Sequence, residues 1–202
     1  MAHASWLTPS KVAGSGNDTV SVSANSNNTG RNARTTTLTF KAVGVSDVER
    51  TVNQVGKPEF ASFASSSAAA AKEGQTLTLS GTSNSSELTF SLGTDNIGLT
   101  LPSSYTAAGI TVNNGAAITG DPGATQEYNW SIAFTIPANT GVEAKTCQVV
   151  VTDDAGHTNT CTITLAAGDA TLSVSPASVD LPWDASTSAN FTVTSNTNWT
   201  VE

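Results

Sequence analysis

The C-terminal stretch at residues 190–202, N-F-T-V-T-S-N-T-N-W-T-V-E, is the feature that most restricts how this chain can fold. Phe191 and Val193 alternate with polar residues, and Trp199 and Val201 do so again after a short Asn/Thr turn. Because successive side chains point to opposite faces of a strand, the pattern predicts one strand, a turn and the start of a second strand, with one apolar face. A stable sheet needs more strands than this. The stretch therefore predicts that its sheet is completed by strands from elsewhere.

The N-terminal segment, residues 1–57, carries the same kind of pattern. Trp6 and Leu7 precede a loop rich in Pro, Gly and Ser, and alternating apolar residues then predict further strands. The predicted strands cover residues 18–24, 34–43 and about 48–55. Three good strands are too few to bury a core alone. Residues 1–57 and 169–202 together have about the length of one β-sandwich domain, roughly 100 residues, so we expect the two ends of the chain to form one domain.

The middle segment, residues 58–168, has enough strands to stand on its own. Strands are predicted at residues 75–80, 87–92, 97–101, 110–112, 128–136, 145–152 and 158–165. Asn114-Gly115 predicts one hairpin turn and residues 153–156 a second one. Residues 65–71 are interpreted as a connection rather than a helix. About seven strands over about 110 residues, with frequent turns, predict an immunoglobulin-like sandwich, and the whole chain is expected to be all-β.

Composition excludes several classes of function. The formal net charge is −8 and the chain has eight Lys plus Arg, so it lacks the basic surface that neutralises phosphates, and no nucleic-acid partner is expected. No apolar run approaches the length of a membrane span, so membrane insertion is not expected.

Both ends of the chain resemble the BACON domain, a module of Bacteroidetes surface proteins and of their phages. The tail's L-S-V-S-P-A-S-V-D-L and F-T-V-T-S-N-T-N-W-T-V are similar to its first half. The head's W-L-T-P-S, G-S-G-N-D-T-V-S-V-S-A-N, R-T-T-T-L-T-F and V-N-Q-V-G are similar to its second half. The family's characteristic residues would be Trp199, Trp6, Asn25, Arg34 and Gln54. The order of the halves is reversed here. The resemblance implies an extracellular, cell-surface or virion protein, and the family is thought to include carbohydrate-binding modules.

The residue types that usually carry catalysis or bind metals do not form a convincing set. His157 lies in a predicted turn beside Asp153 and Asp154, whereas a nucleophile–His–Asp site would also need a positioned nucleophile and an oxyanion pocket. The same aspartates could contribute to a Ca²⁺ site, but no spaced acidic loop supplies six or more oxygens. We therefore expect no enzyme activity, no catalytic or metal-ligating residues and no cofactor.

Cys147 and Cys161 lie on the two arms of one predicted hairpin and should share its inward face. Directly opposed cysteines at a suitable site could form a cross-strand disulfide, whereas a register offset of two residues would forbid one. The sequence is compatible with a disulfide between these cysteines and equally with a pair of buried free thiols.

Exposed aromatic residues would offer the only platform on which sugar rings could stack. Trp183 and Tyr105 are the candidates for such a glycan platform, together with Tyr128 and Trp130. Alternation instead places Trp6, Trp199 and Trp130 in cores. The core of the split domain is expected to contain Trp6, Leu7, Phe191, Val193, Trp199 and Val201.

We therefore expect a non-enzymatic structural or adhesion protein of a bacterial surface or phage fibre. Its partners would be copies of itself, joined head to tail by β-strand complementation of the split domain, with surface glycans as a further partner. The alternative is a carbohydrate-binding module from a tandem-repeat surface protein.

Closure of the split domain within one chain is the competing arrangement. A sandwich with an odd number of strands usually has its two chain ends on opposite sides, and the connectors at residues 56–59 and 166–169 each span at most about 14 Å. Completion of the split domain between two chains does not require the connectors to span this distance, so we expect it rather than closure within one chain.

Overall fold

A computed structural model describes residues 3–184 and 186–202, and the described chain is all-β, as predicted. Apart from one 3₁₀ turn at Pro122–Ala124, its regular elements are strands. None of the helical structure in the described residues is long and apolar enough to cross a membrane. The strands are β1 (Leu7–Pro9), β2 (Val22–Ala24), β3 (Arg34–Phe40), β4 (Val48–Gln54), β5 (Ala61–Phe63), β6 (Ser67–Ala70), β7 (Gln75–Ser83), β8 (Leu88–Asp95), β9 (Ser104–Ala107), β10 (Ile110–Asn113), β11 (Tyr128–Ile136), β12 (Lys145–Asp153), β13 (Thr158–Leu165), β14 (Leu172–Ser175) and β15 (Thr192–Ser195).

Strands β5 to β13 form two sheets, which we call the middle sandwich. One sheet has the order β10-β9-β11-β7-β5 and the other the order β6-β13-β12-β8. The orders β9-β11-β7-β5 and β8-β12-β13 correspond to the two sheets of a constant-type immunoglobulin domain. Along the long central strands buried residues alternate with more exposed ones, as in β11, and the inward side chains build one core. Trp130 lies in it, 2% exposed, as predicted.

The segment interpreted as a connection, residues 65–71, contains a short strand. The chain leaves β5, which is antiparallel to β7, and crosses to the other sheet, where β6 runs parallel to β13. Strands β5, β6 and β9 were not predicted, and with them the middle sandwich has nine strands rather than about seven. Because nine is also an odd number, the two chain ends of the sandwich are again expected on opposite sides.

The predicted hairpin at Asn114-Gly115 is wrong. The turn lies at Ala108 and Gly109, which join β9 to β10 and have φ values of 50° and 81°. Two central residues at positive φ match the twist of a two-residue hairpin, and an Ala is rarely found there. Asn114 instead uses its side-chain amide to accept from the Phe90 N–H and donate to the Phe90 carbonyl, which covers the free edge of β8.

The predicted strand at residues 97–101 is also wrong. Ile97 and Leu99 are buried as the alternation suggested, but they lie in a loop. The carboxylate of Asp95 accepts hydrogen bonds from the N–H groups of Ile97, Gly98 and Leu99, so the chain turns around this side chain instead of extending. The hairpin predicted at residues 153–156 is confirmed between β12 and β13.

The two ends of the chain form small hairpins outside the middle sandwich. In residues 3–57, called the head, β1 pairs with β2 and β3 pairs with β4. The predicted strand at 18–24 is shorter, since only Val22–Ala24 is a strand. In the tail, residues 169–184 and 186–202 of the described chain, β14 pairs with β15.

Candidate functional site

The head and the tail are attached at opposite ends of the middle sandwich. Strand β7 links these ends: Ser83 pairs with Tyr128 at one and Gln75 pairs with Ile136 at the other. A strand of this length spans roughly 27 Å. The head contacts the Ser83 end and the tail contacts the Gln75 end, as the hydrogen bonds of the two joints show.

The head joint is a close, polar contact. Arg31 donates from Nη1 to the carbonyl oxygen of Asn84 at 2.8 Å and forms an ion pair with Asp121 through Nη2. A Cβ added to Gly30 would lie 2.2 Å from the carbonyl carbon of Thr125, and the backbones can approach this closely only because a glycine is present. The head is therefore held against the sandwich rather than tethered by a loose linker.

Asn84 lies at the centre of this joint and is fully buried. Its Oδ1 accepts from the N–H of Phe60 at 3.0 Å. Its Nδ2 donates to the carbonyl oxygens of Thr29, Lys57 and Pro58 at 3.4, 3.1 and 3.3 Å. One amide thus connects the head, the connector and the sandwich.

The tail joint is built in the same manner. Asn196 accepts from the N–H of Thr171 at 2.8 Å and donates to the carbonyl oxygens of Thr140 and Asp169 at 3.0 and 2.8 Å. Asp169 also pairs with Lys72 at 2.5 Å. This hydrogen bond is the main cause that raises the pKa of Lys72. These contacts fix the start of β14 and the end of β15 at the Gln75 end of the sandwich.

The head contains a groove of about 520 Å³ between its two hairpins. Its apolar lining includes Pro9, Val20, Leu38 and Phe40. Val20 and Leu38 are only half-buried and Phe40 is 43% exposed. Strands β1 to β4 therefore leave part of the head's apolar surface uncovered.

At the joint end of the head, the residues singled out by the family resemblance contact one another. The guanidinium carbon of Arg34 lies 4.8 Å from the centroid of the Trp6 ring. Arg34 Nε donates to Oε1 of Gln54 at 2.7 Å, and Asn25 donates to the carbonyl of Ser5. This network orders one end of the head and leaves the groove at the other end.

The tail presents an apolar face to solvent. Phe191 is 50% exposed, Trp199 49% and Val201 83%, while Val193 is half-buried. In the head, Leu7 is buried at 3% and Trp6 is half-buried. Within the described residues, no hydrogen bond, ion pair or strand pairing joins head to tail. The proposed core of the split domain is thus divided between two separated surfaces of one chain.

The two candidates for a glycan platform lie in different environments. Trp183 is 98% exposed in the tail. Tyr105 is 3% exposed in the sandwich core, where its hydroxyl accepts from the Leu88 N–H and burial raises its pKa to about 12. Tyr128 and Trp130 are buried as well. Of these four candidate residues, Trp183 alone offers an open ring face.

Cys147 and Cys161 are free, buried thiols in the structure. Cys147 lies opposite Ile163, and Cys161 lies opposite Val149. This is the offset of two residues that keeps diagonal partners beyond disulfide distance. Burial raises the pKa of the Cys147 thiol to about 12 and also raises that of Cys161.

His157 and Asp153 form a turn-stabilising pair. The buried Asp153 accepts from the His157 backbone N–H at 2.7 Å, and its other oxygen lies 2.8 Å from Nδ1 of the ring. In the part of the chain that the structure describes, no three His, Cys, Asp or Glu side chains are grouped as a metal site requires.

Sequence reasoning located the apolar strands of head and tail but missed the joints. No sequence pattern distinguishes the joint residues Arg31, Asn84 and Asn196 in a chain that is rich in Asn and Thr. Gly30 and Gly56 are a sequence signal for a close backbone contact at the head joint. A Cβ on Gly56, for example, would lie 2.0 Å from the Arg31 carbonyl oxygen.

Comparisons with known proteins bear on the head most directly. Residues 1–54 match the family model of BACON, described as "Putative binding domain, N-terminal". The comparison with curated proteins finds no match. Among solved structures, the chain is similar to an endo-fucoidan hydrolase of glycoside hydrolase family 107 at 12% identity and a TM-score of 0.30. That alignment covers 82% of this chain and 22% of that one. The BACON resemblance is thus confirmed for the N-terminal segment, residues 1–54.

Proposed function

We propose that this protein is a non-enzymatic structural and adhesion subunit of an extracellular fibre, on a bacterial surface or a phage particle. In this proposal the tail of one copy, the donor, fills the groove in the head of the next copy, the acceptor. The two halves then complete a BACON-like sandwich by β-strand addition.

The separation of an open groove from an exposed apolar face is the observation that carries the proposal. The groove beside Leu38 and Phe40 lacks cover, and the tail face with Phe191 and Trp199 has no partner among the described residues of its own chain. Exposed apolar surfaces of this kind usually mark interaction sites. Burying an aromatic or large aliphatic side chain contributes roughly 1.5–3 kcal/mol, so joining the two surfaces is strongly favourable.

The joints argue against closure within one chain. Both connectors leave from opposite ends of the middle sandwich, roughly 27 Å apart, and each spans at most about 14 Å. Asn84 and Asn196 hold the head and the tail at their own ends. A contact between two different surfaces of identical chains need not close, so it propagates as a filament.

A carbohydrate-binding module is the second candidate. It is supported by Trp183, whose ring is almost fully exposed, and by the description of the matching family as a binding domain. Loss of glycan-array binding on Trp183→Ala, from a protein that stays monomeric, would favour this candidate.

Light scattering across a concentration series tests the assembly. The wild-type chain should form oligomers or filaments, and Trp199→Arg should disperse them because a charge would enter the groove. Trp183→Arg is the matched control, since it introduces the same charge at a tail tryptophan outside the strand face, and it should assemble normally. A strictly monomeric, fully folded wild-type protein at high concentration would contradict the proposal.

A further inference from the structure

Three valines on two loops of the head are exposed to an unusual degree. Val12 is 92% exposed, Val43 105% and Val45 67%. They lie in residues 11–17, between β1 and β2, and residues 41–47, between β3 and β4. We call Val12, Val43 and Val45 the distal valines.

The distal valines lie at the end of the head that faces away from its own sandwich. In the β3–β4 hairpin, Arg34 pairs with Gln54 next to the joint, and Phe40 pairs with Val48 at the far end. Six residues of strand separate these pairs, which corresponds to roughly 20 Å. Val43 and Val45, which lie beyond this far end, are therefore out of reach of the sandwich of their own chain, and Val12 lines the groove beside Phe40 at the same end.

The path of the first described residues shows from which side a donor would arrive. His3 lines the groove with Leu38, the N–H of Ala4 donates to Oγ1 of Thr36, and Trp6 lies beneath Arg34. Residues 3–6 thus run along β3 from the distal end toward the joint. A donor strand that continues this path backwards comes in from the distal end.

The donor's own geometry agrees with this direction. Asn196 donates to the carbonyl of Thr140, so β15 ends at the rim of the donor's sandwich, and residues 197–202, which follow it, are the segment that would enter the acceptor. In the completed module the donor's rim therefore lies at the acceptor's distal end.

We propose that the distal valines of the acceptor pack against the donor's rim at residues 137–142, forming a second contact between copies. This inference rests on the proposed head-to-tail assembly. The rim offers apolar surface at Pro137, Ala138 and Val142, all of which are exposed.

Two lysines beside the distal valines are already paired within their own chain. Lys11 pairs with Asp18 at 2.8 Å and Lys41 with Asp47 at 2.6 Å in the acceptor loops. The hydrogen bond from Lys11, followed by that from the Thr19 backbone, lowers the pKa of Asp18. Bringing such paired charges together costs less desolvation than burying isolated ones, so apolar contact decides the fit. With contacts at both ends, each sandwich is held at a fixed angle to the next one.

The experiment compares assembly of the double variant Val43→Asp/Val45→Asp with that of Val55→Asp. Val55 is also exposed, at 79%, but lies at the joint end of the head, so this variant is the matched control. Because the distal valines contact little in their own chain, thermal melts of both variants should match the wild type. The concentration at half-assembly should rise about tenfold or more for the double variant, since buried valines would be replaced by charges. It should stay near the wild-type value for the control.

The outcomes distinguish the valine contact from the strand complementation on which it rests. If the double variant assembles like the wild type while Trp199→Arg does not assemble, the valine contact is refuted and the strand complementation stands. If the wild type itself never assembles, both are refuted. A selective loss in the double variant, reproduced by Val142→Asp on the rim, supports the second contact.

Discussion

Replacing Asn84 by Ala tests whether the head is locked onto the middle sandwich. The side chain is fully buried and makes four hydrogen bonds, of which those with the Phe60 N–H and the Lys57 carbonyl are the shortest, at 3.0 and 3.1 Å. Alanine removes them and leaves the Phe60 N–H without its partner. The loss of two such bonds, with unpaired groups remaining, should lower the free energy of unfolding by about 2–4 kcal/mol.

Urea denaturation followed by tryptophan fluorescence, together with hydrogen exchange of the head amides, measures this effect. Asn129→Ala is the control, because Asn129 is exposed on β11, and it should change stability by no more than about 0.5 kcal/mol. Head amides should lose protection in Asn84→Ala before the core strands do. A variant as stable as the control, with head protection unchanged, would refute the reasoning.

The isosteric change Asn84→Asp adds a pH dependence. Its carboxylate would face the carbonyl oxygens that the amide of Asn84 now bonds, so its pKa should be raised in the folded state. A raised folded pKa favours the folded protein below the unfolded pKa, and this contribution is lost as the pH rises through the folded value. The stability difference from wild type should therefore widen from acid to neutral pH.

Gly30→Ala should destabilise the head joint, because the new Cβ would lie 2.2 Å from the backbone of Thr125. Gly14→Ala should be tolerated, because its Cβ would meet only a side-chain oxygen at 3.1 Å. Equal unfolding midpoints for the two variants would contradict this prediction. Burial raises the pKa of Asp95, but hydrogen bonds from the following backbone N–H groups outweigh it and hold the pKa below 3.8. Its stabilisation is thus present above that value and lost in acid, so the gap between wild type and Asp95→Asn in unfolding experiments should shrink as the pH falls toward 2. Cys147 and Cys161 should both react with a thiol reagent in denaturant and only slowly in the native protein; rapid native labelling would show that they are not buried.

Alternation of apolar residues determined much of the fold from sequence alone. The long strands β7, β11, β12 and β13 were predicted nearly to their ends, because each buries one face and therefore repeats with a period of two. The all-β class follows from the same signal, and the hairpin at residues 153–156 follows from the turn residues between two such strands. So does the presence of apolar strands at both ends of the chain, including Phe191 and Trp199.

Turn chemistry was predicted less well, because it depends on contacts that are distant in sequence. Asn114-Gly115 has the residues of a hairpin turn and does form a turn, but Asn114 covers the edge of β8 and the two-residue hairpin falls at Ala108-Gly109 instead. Ile97 and Leu99 alternate like a strand but are buried by a loop that Asp95 organises. In each case a side chain competes with the sheet for backbone hydrogen bonds.

The arrangement of the candidate site was decided by tertiary structure. The sequence shows that head and tail carry apolar strands, but only the folded sandwich puts their attachment points at opposite ends. The register of the β12–β13 hairpin likewise sets Cys147 and Cys161 two residues apart. The joints depend on Arg31, Asn84 and Asn196, polar residues whose side-chain hydrogen bonds reach across up to 90 positions in the chain. The alternation of apolar residues indicates only which side chains of a strand lie on the same face. Hydrogen bonds between residues distant in sequence depend on how the strands pack in three dimensions.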